Sequence, residues 1–100
     1  MADGFYAKEK LEWAVWTLAT HPGSVRERLF GAYLEIHLIQ DAIPSEYREE
    51  HRRILRDMNN PDQTDEGEGT VKATLAAMDE EQAVDIAKRI HELNSKIVDL

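Results

Sequence analysis

The sequence predicts an all-α fold: a compact five-helix bundle built around an N-terminal antiparallel helical hairpin, forming one domain over residues 1–100. Three observations predict it. Apolar residues recur at three- and four-residue spacing in five stretches and never alternate over a useful length. That is the period of a helix and not of a strand. Short groups rich in Pro, Gly, Ser, Asn and Asp separate those stretches, as helix starts and stops require. Finally, Ser24-Val25-Arg26-Glu27 and Asp79-Glu80-Glu81-Gln82 both spell a capping box, in which the first and fourth residues satisfy each other's free backbone N–H groups.

The first helix spans 5–20, FYAKEKLEWAVWTLAT. At about 100° per residue, Ala7, Leu11, Ala14, Val15 and Leu18 share one stripe. Phe5, Tyr6, Trp13 and Trp16 fall on roughly the opposite side. Four of the seven aromatic residues, including both Trp, lie in these sixteen positions. A helix that is apolar on two faces is either central or sits between its own core and a partner. His21-Pro22-Gly23 ends it.

From Ser24 the second helix should run over about 25–40, with Val25, Leu29, Ala32, Ile36 and Ile39 on its main stripe. Phe30, Tyr33, Leu34, His37 and Leu38 flank that stripe, so this helix too is apolar over most of its circumference. The four-residue link makes the two an antiparallel hairpin. Pro44 suits the first turn of a third helix over about 44–58, which turns Tyr47, His51, Ile54, Leu55 and Met58 inward. Residues 59–69 contain no large apolar side chain and read as a mobile acidic loop. Thr70 is placed to cap a short helix over about 71–78. The fifth helix, about 80–98, packs with Ala83, Ile86, Ala87, Ile90, Leu93 and Ile97.

Composition narrows the function. The chain has no cysteine, which removes disulfides and thiolate chemistry. The formal net charge is −8, with residues 1–60 near −2 and residues 61–100 near −6. That balance argues against phosphate backbones or anionic lipid as the main target, so neither nucleic acid nor a membrane is expected as partner. No apolar run approaches the roughly 20 residues needed to span a bilayer. MADGFYAKEK does not read as a secretory signal, and a cytoplasmic location is expected.

LAT-x-PGSVRERL-x-x-AY over 18–33, together with TVKATLAAMDEEQAVDIAKRI over 70–90, resembles a group of short, uncharacterised bacterial helical proteins. The likeness would cover most of the chain. It implies a bacterial, cytoplasmic, helical protein. No activity is attached to the group, and it supplies no catalytic residues.

Four features are candidate sites. The aromatic face of Phe5, Tyr6, Trp13 and Trp16 is either covered by later helices of the same chain or serves as an association surface, since Trp and Tyr dominate interface hot spots. On the third helix, Arg48, Arg52 and Arg56 recur every fourth residue, while Glu46, Glu50 and Asp57 take the other flank. An arginine row is a patch for an anion or acidic partner. Its alternatives are a solvated face with pairs such as Glu49–Arg53, or docking of the acidic loop or fifth helix. His37 and His51 both lie beside apolar stripes and are weak metal candidates; a core-edge histidine is the plainer reading. The segment after Asp62 fails as a calcium loop, because the closing bidentate Glu would fall on Ala73.

No catalytic constellation emerges. His91-Glu92-Leu93-Asn94-Ser95 lacks the second histidine of a zincin helix. Ser24 and Ser45 sit at helix starts, and Gly67-Glu68-Gly69 is no phosphate loop. No cofactor is expected. The sequence therefore reads as a small non-enzymatic interaction protein that self-associates, as a dimer, through the aromatic face of the first helix, or binds another protein there. The alternative is an acidic inhibitor or decoy offering its negative C-terminal half to a basic protein surface. Salt should weaken the decoy steeply and an aromatic contact little.

Overall fold

In the computed structural model, which describes residues 4–60 and 69–97, the chain forms α1 (Gly4–Thr20), α2 (Val25–Ile36), α3 (Arg48–Asp57), α4 (Gly69–Ala77) and α5 (Glu80–Lys96). Two 3-10 turns, Gln40–Ala42 and Ser45–Tyr47, join α2 to α3. The most extensive helix contact is α1 against α2, as the hairpin requires. α5 lies against α1, α2 and α3, and α4 packs on α2. Leu11, Leu29, Ile36, Ile54, Ile90 and Leu93 meet in one buried cluster. Each contributes about 1.5–3 kcal/mol by leaving water.

The hairpin is set by local chemistry at its turn. Gly23 has φ 104°, a conformation that side chains disfavour. Ser24 follows as cap: its Oγ accepts from the Glu27 N–H at 3.2 Å, and Glu27 Oε1 accepts from the Ser24 N–H at 2.9 Å. The Ser24 N–H, and after it the Ser24 hydroxyl, hold the Glu27 carboxyl below its ordinary pKa. Further along the seam, a Cβ on Gly31 would lie 2.9 Å from Thr17 Cγ2. Glycine is what lets α1 and α2 approach this closely.

Several helix boundaries differ from the sequence expectation, and at the end of α2 a distant group intervenes. α2 stops at Ile36 instead of about 40. In a longer helix the Ile36 carbonyl would receive the N–H of residue 40; here it receives His51 Nε2–H at 2.8 Å. Beyond it the chain folds into the Gln40–Ala42 turn, which buries Ile39 and Ile43. The third helix does not begin at Pro44. Tyr47 N–H bonds to the Pro44 carbonyl at 2.9 Å in a 3-10 turn, and α-helix follows from Arg48. α4 opens at Gly69, so Thr70 is inside the helix and not its cap; its carbonyl accepts from Thr74 Oγ1 at 2.7 Å. α5 ends at Lys96. Most of the expected acidic loop, residues 61–68, lies outside the described residues, as do 98–100.

α5 ties the outer helices together. Its Asp79–Gln82 capping box is formed. Arg89 pairs with Asp57 at 2.8 Å and Lys96 with Glu50 at 2.9 Å, fixing α3 at two points. The Glu50 hydrogen bond and charge hold the Lys96 ammonium above the usual lysine range. On the other side, Lys8 Nζ donates to the Asn94 carbonyl and Asn94 Nδ2 to Glu12 Oε2, both at 2.7 Å. No helix among the described residues is long and apolar enough to cross a membrane.

Candidate functional site

The geometry of α1 decides between the two readings of its aromatic side. Ala7, Leu11 and Ala14 are fully buried, and Val15 and Leu18 pack against the core. That stripe faces inward. One flank meets α2, with Thr17 on Gly31, and the other meets α5, with Lys8 and Glu12 on Asn94. The remaining side points away from the core, and no described helix crosses it. Phe5 is 62 % exposed, Tyr6 45 %, Trp13 53 % and Trp16 60 %. Helices α3, α4 and α5 therefore do not cover the rings.

The hairpin widens this surface beyond α1. Thr17 lies level with Gly31, and the two helices run antiparallel with equal rise, so Leu34 comes level with Trp13 and Ala14. Leu34 is 54 % exposed and Leu38, just past the end of α2, is 78 % exposed. Leu34 lies opposite the buried Leu29–Ala32–Ile36 stripe of its own helix. Two outward apolar ridges thus run side by side. The sequence placed Leu34 and Leu38 on a flank of the core; a helix that ends at Ile36 and packs mainly against α1, α4 and α5 leaves them in water. Charges punctuate the ridge: Glu9 and Glu12 are exposed, and Lys10 Nζ stands 5.9 Å from the Tyr6 ring centroid.

Arg48, Arg52 and Arg56 are all exposed on α3, and two of the three guanidinium groups have partners among the described residues. Arg48 turns back on its own loop, donating Nε to the Ile43 carbonyl at 2.8 Å and Nη2 to the Asp41 carbonyl at 3.3 Å. Those carbonyls lie beside the 3-10 turns, which periodicity did not reveal. Arg52 pairs with Glu49, and Arg53 reaches the same carboxylate at 3.2 Å. Arg56 is exposed. The outermost surface of α3 therefore carries Arg52, Arg53 and Arg56 around Glu49, with the Arg48 guanidinium drawn back to the preceding loop.

The histidines are engaged in structure. His37 stacks on Tyr33 with centroids 4.9 Å apart and donates Nδ1–H to the Tyr33 carbonyl at 3.1 Å. His51 is fully buried, and its Nδ1 has no hydrogen-bond partner. Burial, and secondarily the Arg52 charge, push its pKa down against the opposing pull of the Ile36 bond. Among the described residues no group of three or more His, Cys, Asp or Glu could hold a metal ion. The described residues border open concavities. One of about 900 Å³ is bordered by Asp57, Thr74, Asp85 and Arg89; one of about 630 Å³ is bordered by Arg26, Phe30, Lys72 and Leu75. In the first, Arg89 is already paired with Asp57, and in the second Arg26 donates to the Met78 carbonyl at 2.8 Å. Compared with protein-family models, with curated proteins and with solved structures, the chain matches none, so the small all-helical architecture is what stands of the resemblance noted in its sequence.

Proposed function

We propose that this is a non-enzymatic association protein and that it binds a second copy of itself through the outward face of α1. One observation carries the reading: four aromatic side chains stand in water on a helix whose core contacts are made by Ala7, Leu11 and Ala14. Four rings about half exposed leave on the order of 400 Å² of apolar surface, since each buries about 150–250 Å² when fully covered. That is about the largest patch an ordinary monomer shows. Leu34 and Leu38 add to it. A specific interface buries about 800 Å² per partner, so this patch is large enough to form its centre, with polar neighbours as rim. The absence of enzymatic chemistry is inferred from the occupations of the candidate groups: Ser24 is a helix cap, and both His37 and His51 donate to backbone carbonyls.

Light scattering at micromolar concentration tests the reading. The native chain should exceed the mass of a monomer. Trp13→Ala combined with Trp16→Ala should return it to monomer with its helical circular dichroism intact. A monomeric native chain removes the proposal. An acidic decoy acting through Glu80, Glu81, Asp85 and Glu92 of α5 would instead keep its partner in the Trp double variant.

A further inference from the structure

The aromatic face of α1 is not purely apolar, and its charges bear on what can sit against it. Glu9 is exposed among the rings, and Glu12 is exposed at the α5 edge of the face, where it accepts from Asn94 and stands 4.0 Å from Lys8 Nζ. If two copies met α1 to α1, these carboxylates would be brought together in a partly dried contact, where like charges repel more strongly than in water. The face lacks a cation that is flat enough to lie on an indole and can also donate to a carboxylate. Guanidinium does both.

The same molecule displays such cations elsewhere. Arg52, Arg53 and Arg56 surround Glu49 on the outermost side of α3. Arg52 and Arg53 share that single carboxylate and are themselves 66 % and 61 % exposed, and Arg56 makes no ion pair among the described residues. The surface therefore carries a net positive charge on an otherwise acidic chain. His51 and Ile54 mark the buried side of α3, as Ala7, Leu11 and Ala14 mark that of α1. Both faces point away from a shared core, so they cannot meet within one chain. They can meet between chains.

Resting on the self-association reading above, we propose that the contact is head to tail: the aromatic and acidic face of α1 in one copy receives the arginine face of α3 in a second copy. Such a heterologous contact closes into a ring where the rotation allows and otherwise propagates as a chain, each junction using one α1 face and one α3 face.

Complementation tests this. One variant carries Trp13→Ala and Trp16→Ala; the other carries Arg52→Gln, Arg53→Gln and Arg56→Gln. Each alone should be monomeric by light scattering, with its apparent dissociation constant raised at least tenfold. Mixed in equal amounts, they should form a one-to-one heterodimer, because the intact α1 face of the second meets the intact α3 face of the first. An arginine variant that associates as well as the native chain overturns the head-to-tail arrangement while leaving self-association standing. Two monomeric variants that fail to combine also overturn it. A monomeric native chain overturns both. Should the arginine variant lose helicity, Glu9→Lys serves instead: it should weaken association severalfold and be rescued by Arg56→Glu. Because carboxylates take part, moderate salt should weaken the contact severalfold as well.

Discussion

α1 and α5 are each 17 residues long and pack against one another, yet they treat water in opposite ways. α5 buries Ala83, Ile86, Ile90, Leu93 and Asn94 and turns Glu80, Glu81, Asp85, Lys88, His91 and Glu92 outward. Val84 is the one large apolar side chain it exposes. α1 buries a thinner stripe and turns Phe5, Tyr6, Trp13 and Trp16 outward. Two helices of equal length on one core show what that core needs, namely a single apolar stripe. The rings on α1 are surplus to folding, and surplus aromatic surface in water is costly to solubility. That cost is why the face is read as a contact and not as accident.

The comparison can be broken most severely from inside. Leu11→Ala removes a fully buried side chain from α1 and should lower stability by about 2–5 kcal/mol, read as a drop in urea midpoint. The Trp13/Trp16 double variant lies on the same helix but should change monomer stability by only about 1 kcal/mol or less. A loss as large as that of Leu11→Ala would mean the rings serve the fold, and the contrast between the helices would vanish. Acidity should give a smaller effect. His51 has a depressed folded pKa, caused first by burial. Its stabilising contribution is complete above the unfolded value near 6.5 and is lost as pH falls from there through the folded value, with a slope of at most about 1.4 kcal/mol per pH unit. His51→Gln, whose amide can still donate to Ile36, should flatten urea midpoints between pH 7.5 and 5. An unchanged pH slope would assign the acid sensitivity to other groups. Ser24→Ala should cost about 1 kcal/mol by opening the capping box, without altering association. A change in oligomeric mass for that variant would place the interface at the hairpin turn and not on α1.

What could be read from the sequence followed from how local the cause was. The boxes at Ser24 and Asp79 were legible because both partners lie within four residues, and each is formed. The stripe of α5 was legible because one wet face leaves a single orientation. The end of α2 was not, since its last carbonyl is satisfied by His51, fifteen positions away. The partners of Arg48 were hidden for a similar reason: helical spacing gives its position on α3, while the carbonyls at Asp41 and Ile43 that its guanidinium meets lie in the preceding loop. For α1 the pattern showed two greasy sides without showing how many layers the fold would have. Only the packing of α2 and α5 on its flanks left the aromatic side open.

The missing side chain at Gly31 has a further bearing on that open side. With Thr17 Cγ2 only 2.9 Å from where a β-carbon would sit, the two ridges are held at a distance fixed by the absence of one methyl group. Alanine there would force the Thr17 methyl to turn aside or the seam to open, and an opened seam would shift Trp13 relative to Leu34. The footprint offered to a visiting molecule is thus calibrated from beneath, by an atom that is not present.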